Sequence, residues 1–164
     1  MKKLEFRTDI LPLKDGLYRL ALRITLNREE AEDVVQETMI KLWNQHERWQ
    51  ELESIEAYAN TICRNIALDH IRRKDNRTVS LEEERPSEQS TDPYHQMWQQ
   101  EQIQMIRQIM ASLPEKQSTC MHLRDFEGKS YQEIATILQI TEDQVKVNIF
   151  RARKAIKQRI DNNA

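Results

Sequence analysis

The sequence predicts an all-α protein built as two small helical modules, a bundle and a helix-turn-helix unit, joined by a flexible linker. Three observations carry this. Charged residues make up 32% of the chain and glycine occurs twice, so helix formers dominate and no segment alternates β-branched residues. Apolar residues recur at three-to-four spacing in two blocks, residues 10–75 and 94–162. Between them, residues 76–93 lose the period and carry Glu82, Glu83, Glu84, Glu88 and Asp92 with Pro86 and Pro93, the composition of an acidic linker.

In the first block, Leu17, Leu20, Ala21 and Ile24 mark one amphipathic helix ending near Asn27. Asn27 with Glu30 restarts a helix to about Gln45, with Ala31, Val34, Val35, Thr38, Met39 and Leu42 inward. Trp43 is expected to pack beneath that helix. Ser54 begins the third, with Ile55, Ala59, Ile62, Cys63, Ile66, Ala67 and Ile71 inward and a basic end at Arg72, Arg73 and Lys74 that suits the helix dipole.

In the second block the period returns from Tyr94 through Met97, Ile103, Ile106, Ile109 and Met110. Pro114 opens another helix at its first turn, carrying Cys120, Met121 and Leu123, and Gly128 fits a left-handed cap. Two helix-start signatures then stand eleven residues apart: Ser130 with Glu133 and Thr141 with Gln144. Only Gln139 and Ile140 remain for the turn between them, so the two helices must cross steeply, as in a helix-turn-helix. The last helix has Val145, Ile149, Ala152, Ile156 and Ile160 as its inner stripe. From Gln144 to Ile160 it carries six cations and no acid, which reads as a DNA-docking helix.

Much is excluded. Gly16 and Gly128 stand alone, which rules out the glycine-rich loops that cradle nucleotide phosphates. Cys63 and Cys120 are single and the four histidines scattered, so no zinc or other metal site and no cofactor are expected. Both cysteines fall in apolar phase, as reduced core residues of a cytoplasmic protein do, and no signal peptide or membrane-spanning run is present in the sequence. Acids lie on exposed faces or in the linker, with no apolar setting to raise a carboxyl pKa; no catalytic residue, enzyme activity or small-molecule substrate is expected. The net charge of −2 hides segregation, with base at Arg64–Arg77 and beyond Lys146. Local charge matters more than the sum, because fields decay over a Debye length of roughly 8 Å.

With both blocks in view the chain resembles the extracytoplasmic-function (ECF) group of bacterial sigma-70 family RNA polymerase sigma factors, from about Leu17 to Ile160. The matching runs in the first block are Ala31-Glu-Asp-Val-Val-Gln-Glu-Thr-Met-Ile-Lys-Leu-Trp43, Ala57-Tyr58 and Arg64-Asn-Ile-Ala-Leu-Asp-His-Ile-Arg-Arg73. In the second they are Leu113-Pro-Glu-Lys-Gln117, Leu123-Arg-Asp-Phe-Glu-Gly128, Ser130-Tyr-Gln-Glu-Ile-Ala135, Val145-Lys146 and Arg151-Ala-Arg-Lys154.

The resemblance implies a non-enzymatic subunit that binds core RNA polymerase, recognises the −10 and −35 promoter elements and directs initiation. It places the polymerase contact on Asp33, Gln36, Glu37 and Lys41, which also share one polar helix face. It places −10 recognition on Trp49, Tyr58, Asn65, Asp69 and Arg72, with Asn60, Arg64 and Arg73 holding phosphates. Aromatic surfaces suit melted bases, at roughly 1–3 kcal/mol per stack. It places −35 recognition on Glu142, Asp143, Lys146, Val147, Phe150 and Arg151, with Arg153, Lys154 and Lys157 on phosphates. Implied partners are core polymerase, promoter DNA and an anti-sigma factor, often membrane-bound; the free chain is expected to be a monomer.

Alternatives stay open on the residues themselves. The face of Asp33, Gln36 and Glu37 also reads as ordinary solvated surface, Asp69 as only an ion-pair partner of Arg72 or Arg73, and Tyr58 as a core edge. Gln139 stands where the family often has glycine, so strain or a variant turn is expected. Val147 and Asn148 replace a Ser-Arg pair common in the family, so base preference does not transfer. A stand-alone helix-turn-helix regulator is the competing reading, lacking a visible heptad seam or ligand domain.

Overall fold

The computed structural model describes residues 3–77 and 94–163. Seven α-helices occur among them: α1 Lys14–Thr25, α2 Arg28–Asn44, α3 Ile55–Arg77, α4 Tyr94–Ser112, α5 Glu115–Met121, α6 Tyr131–Leu138 and α7 Glu142–Asn163. From residue 78 to 93 the expected acidic linker lies outside the described residues.

Local chemistry sets each boundary. The chain enters through a wide turn at Phe6–Ile10, whose Ile10 is fully buried, and a tight turn at Leu11–Leu13. α1 stops at Leu26, which adopts left-handed φ 57°, an expensive place for a bulky side chain. Asn27 Oδ1 then accepts from the Glu30 N–H at 2.9 Å and starts α2, and Ser54 Oγ accepts from the Ala57 N–H at 3.1 Å at the start of α3. Pro114 caps α5 rather than opening its first turn, a one-residue difference from the expected start. A wide turn at His122–Phe126 and Gly128 at φ 69° lead to α6.

The helix-turn-helix forms as the spacing predicts. Ser130 and Glu133 exchange hydrogen bonds of 3.0 and 2.8 Å, and Thr141 and Gln144 exchange bonds of 3.1 and 2.9 Å. Gln139 takes the glycine-like conformation, φ 59° and ψ 48°, so the expected strain is present.

α1, α2 and α3 pack on one another, and α5, α6 and α7 form the second unit with α4 beside α7. The two modules do not stand apart. One continuous core runs from Leu17, Leu20, Val34, Leu42 and Cys63 into Cys120, Leu123, Ile134, Ile137 and Ile149, with α3 lying on α6. A smaller cluster of Ile109, Met110, Met121, Ala152 and Ile156 joins α4, α5 and α7. Ile160 is 37% exposed: the inner stripe of α7 ends at Ile156 instead of continuing one turn further. Burial pushes the Cys63 thiol up to about 12 and the Cys120 thiol up to about 11, so neither is a poised nucleophile.

A candidate nucleic-acid interface and an exposed face of the second helix

The basic face of α7 is open. Glu142, Asp143, Lys146, Val147, Phe150, Arg151, Arg153, Lys154 and Lys157 are all exposed, while Val145, Ile149 and Ala152 hold the helix to its unit. Val147 and Phe150 are 44% and 64% exposed, which leaves apolar surface where a thymine methyl can be met. The two capping boxes fix where the α7 N-terminus begins, and a shallow groove beside it is lined by Lys116, Gln144, Val147 and Arg151. Lys116 was not legible as a site residue because it lies on α5, far off in sequence. The Arg124 guanidinium and the Lys146 ammonium stack on the Tyr131 ring, 4.4 and 5.5 Å from its centroid. Arg153 is different from its neighbours: it grips Asp125 through two bonds of 3.0 and 2.5 Å, so it braces α7 against the turn after α5 and is not a free phosphate ligand in this arrangement.

On α2, Asp33, Gln36, Glu37 and Lys41 are exposed along one face, joined by Ile40 at 59% exposure. Ile40 follows Gln36 and Glu37 by four and three residues, and an unspent apolar side chain there strengthens a docking surface. Behind it, His70 of α3 bonds Glu30 at 2.7 Å through Nδ1 and Glu37 at 2.8 Å through Nε2. Burial opposes the charged ring, but the two carboxylates outweigh burial and raise the His70 pKa.

Around the loop after α2 the two tryptophans are exchanged relative to expectation. Trp49 is 4% exposed, and its indole N–H donates to the Leu42 carbonyl at 3.0 Å, satisfying one of the orphan acceptors at the end of α2. It offers no stacking surface. Trp43, one position beyond the Val34–Thr38–Leu42 inner line, is half exposed and stacks on His46 with centroids 4.4 Å apart, its edge met by Phe6.

α3 is split. Asn65, Asp69, Arg72 and Arg73 are exposed, with Arg72 bonded to Asp69 at 2.8 Å, and Tyr58 is half buried with its hydroxyl on Gln45. Asn60 and Arg64, expected to hold phosphates, are 6% and 8% exposed. Asn60 donates to the Glu56 carbonyl at 2.9 Å. Arg64 is clamped by both Glu115 oxygens at 2.8 and 2.6 Å. Asn60 stands three, seven and eleven residues before Cys63, Ala67 and Ile71, in phase with the apolar stripe of α3, whereas the burial of Arg64 comes from Glu115 of α5, which periodicity cannot reveal. Burial alone would raise the Glu115 pKa; the bonds from Arg64 and Thr119 outweigh it and hold it low. Two further ion pairs cross the seam. Arg19 meets Glu127 at 2.6 and 2.9 Å, which with His122 holds the Glu127 carboxyl at about 2, and Lys129 meets Glu56.

Two helical modules, one ending in a helix-turn-helix with an open cationic face, define a DNA-binding protein. Comparison with known proteins narrows this. Residues 10–77 match Sigma-70 region 2 and residues 103–156 match Sigma-70 region 4. The RNA polymerase sigma-H factor of Pseudomonas aeruginosa is 31% identical over 160 residues, covering 90% of this chain and 83% of that protein. The ECF RNA polymerase sigma factor SigE of Mycolicibacterium smegmatis is 30% identical over 146 residues, covering 87% of this chain and 56% of that protein. The sigma factor RpoE of Bartonella quintana, solved in complex with the anti-sigma factor NepR, shares the fold with a TM-score of 0.73, covering 95% of this chain and 96% of that one at 20% identity. The chain belongs to the ECF group of sigma-70 family RNA polymerase sigma factors.

Proposed function

We propose that this sigma factor docks on core RNA polymerase through Asp33, Gln36, Glu37, Ile40 and Lys41 of α2, reads the −35 duplex with α7 and captures the melted −10 strand beside α3. It acts as a non-enzymatic subunit in the cytoplasm. The observation that carries the reading is the open face of α7 behind two formed capping boxes. Lys146, Val147, Phe150 and Arg151 are the side chains nearest the helix start that can reach base edges, with Glu142 and Asp143 flanking them, while Lys154 and Lys157 neutralise phosphates. At the −10 element, Trp43 with its stacked His46 takes the base-stacking role that the sequence assigns to Trp49. Asn65, Asp69, Arg72 and Arg73 supply the polar face of α3, with Tyr58 at its edge. Arg64 joins them only once Glu115 has let go. An anti-sigma factor is the partner expected to hold the chain inactive, by analogy with the solved complex.

Run-off transcription from a promoter library, with bacterial core polymerase and the full chain, tests this. Promoter-dependent transcripts that disappear with Asp33→Ala/Gln36→Ala support both the sigma role and the α2 contact. No transcripts, together with tight unaided binding of a specific duplex at about 10⁻⁸ M or below, would replace this reading by the stand-alone regulator.

A further inference from the structure

The seam between the modules contains a cavity of about 380 Å³ that none of the proposed promoter or polymerase contacts uses. α1 forms one wall with Leu22, Arg23 and Leu26; α4 forms the other with Arg107 and Met110; His122 and Phe126 close the end. Its floor is apolar, and at about 30 Å³ per water-sized group it has room for roughly a dozen such groups.

Around this floor Arg23 has no anion of its own, and His122 has only a Glu127 oxygen that it shares with Arg19. Arg23 makes no hydrogen bond or ion pair among the described residues, and its buried Nε has no partner. The nearest candidate counter-ion, Glu115, is already held by Arg64 through both oxygens. Both ring nitrogens of His122, itself 4% exposed, are also without a hydrogen-bond partner; Nε2 lies 3.4 Å from a Glu127 oxygen that Arg19 occupies at 2.6 Å. A guanidinium whose buried Nε is unsatisfied, beside a buried imidazole with no hydrogen bond of its own, is a combination that native structures rarely leave without a partner. The rim adds a second, independent observation. Leu26 is a large apolar residue in a left-handed conformation, 55% exposed, where glycine or asparagine would be cheaper, and Phe126 opposite is 45% exposed.

We propose that this cavity is a binding site for a small amphipathic anion, with a carboxylate or phosphate head on Arg23 and His122 and a short alkyl chain along Leu22, Leu26, Met110 and Phe126. Because α1 belongs to one module and α4 and the 122–126 turn to the other, such a ligand bridges them. It binds the closed arrangement in preference to any arrangement in which the modules separate, and so shifts the population toward the closed one.

Thermal unfolding and titration calorimetry of the full chain test the proposal, using octanoate, octyl phosphate, inorganic phosphate and octanol below micelle-forming concentrations. Octanoate, octyl phosphate or both should bind saturably at one site and raise Tm by several degrees, and which of the two binds tighter identifies the head. Phosphate alone and octanol should bind at least tenfold more weakly. Arg23→Met should abolish the preference for the charged amphiphile over octanol. Should that variant fold poorly, Leu26→Asp on the exposed rim provides the same reading, with at least a tenfold loss of amphiphile affinity. Equal binding of octanol and octanoate, equal binding of phosphate alone, or no saturation by either amphiphile up to millimolar concentration overturns the proposal.

Discussion

α3 and α7, the two helices proposed to meet promoter DNA, present their faces in opposite ways. On α7, Lys146, Val147, Phe150, Arg151 and Lys154 stand in solvent, while Arg153 is tied back to Asp125 and Arg159 to Ser112. On α3, Arg64, the side chain best suited to a phosphate, is buried and gripped by Glu115 of the other module. The difference follows from what each helix reads. A duplex groove accepts a preformed helix, so α7 needs only correct capping and a rigid unit behind it. The melted strand is proposed to lie beside α3, so an anion of the protein, Glu115, would occupy the place of a phosphate as long as it holds Arg64. On the proposed roles, the chain carries one reader whose face is open and one whose best phosphate ligand is held by the other module.

The strongest way to break this comparison is to remove the shield. Glu115→Ala leaves Arg64 buried without a counter-ion, and we expect a loss of about 3 kcal/mol in urea unfolding. Hydrogen exchange should accelerate in the middle of α3 and along α6 while the exposed face of α7 is unchanged. The paired variant Arg64→Met/Glu115→Leu, which replaces the ion pair by apolar side chains, should recover most of the lost stability. If Glu115→Ala costs less than about 0.5 kcal/mol, the pair is not what holds the modules together, and α3 is no more shielded than α7.

Reading by α7 sharpens the other side. In the polymerase complex, Arg151→Ala should cost about 1–3 kcal/mol at a cognate −35 element and little at a scrambled one, whereas Lys154→Ala should weaken both alike and lower the salt slope by about one. Arg153→Ala, by contrast, should reduce the stability of the unit before it alters base preference, because its partner is Asp125.

How far the sequence reached also divides along these two helices. Every capping residue named from spacing, Asn27, Ser54, Ser130 and Thr141, caps in the structure, and the inner stripes of α1 and α2 are buried with only Met39 partly exposed. Those signals are local, set within one turn of helix. The open face of α7 was legible for the same reason: an acid-free basic run has only solvent or phosphate to face. The burial of Arg64 was not, because it depends on Glu115, some fifty residues further on, and no periodicity encodes a contact between modules. The exchange of Trp43 and Trp49 has a similar cause. Trp49 is buried by a tight turn, Gln45 to Leu52, that folds it back on the Leu42 carbonyl, and composition gave that turn no signature.

A smaller test concerns the contact between α2 and α3. His70 lies between Glu30 and Glu37, and although burial opposes the charged ring, the two carboxylates raise its pKa in the folded chain above the ordinary 6.5. A raised folded value stabilises the chain fully below pH 6.5, and the contribution is lost as pH rises through the folded value. Unfolding followed from pH 6 to pH 9 should show this loss, on the order of 1 kcal/mol, given that Glu37 is half exposed. His70→Gln should remove the dependence. Because Glu37 belongs to the proposed docking face, polymerase affinity should fall over the same interval in the parent chain but not in the variant.

The mildest test compares the two left-handed helix ends, Leu26 after α1 and Gln139 after α6, at φ 57° and 59°. Gln139 donates no side-chain hydrogen bond among the described residues, and its backbone work, closing α6 through the Ala135 carbonyl, is available to any residue. Gln139→Gly relieves the left-handed penalty but frees the unfolded chain, and the balance should stabilise by about 0.5 kcal/mol. Affinity for a −35 duplex in the polymerase complex should not change, because Thr141 and Gln144 fix where α7 begins and Asp125 braces it through Arg153. Leu26→Gly should gain less, since the leucine still contributes apolar surface to the seam. A Gln139→Gly chain that binds −35 DNA more weakly would mean that the strained turn, and not the capping box, aims the recognition helix; α7 would then be less preformed than its open face suggests.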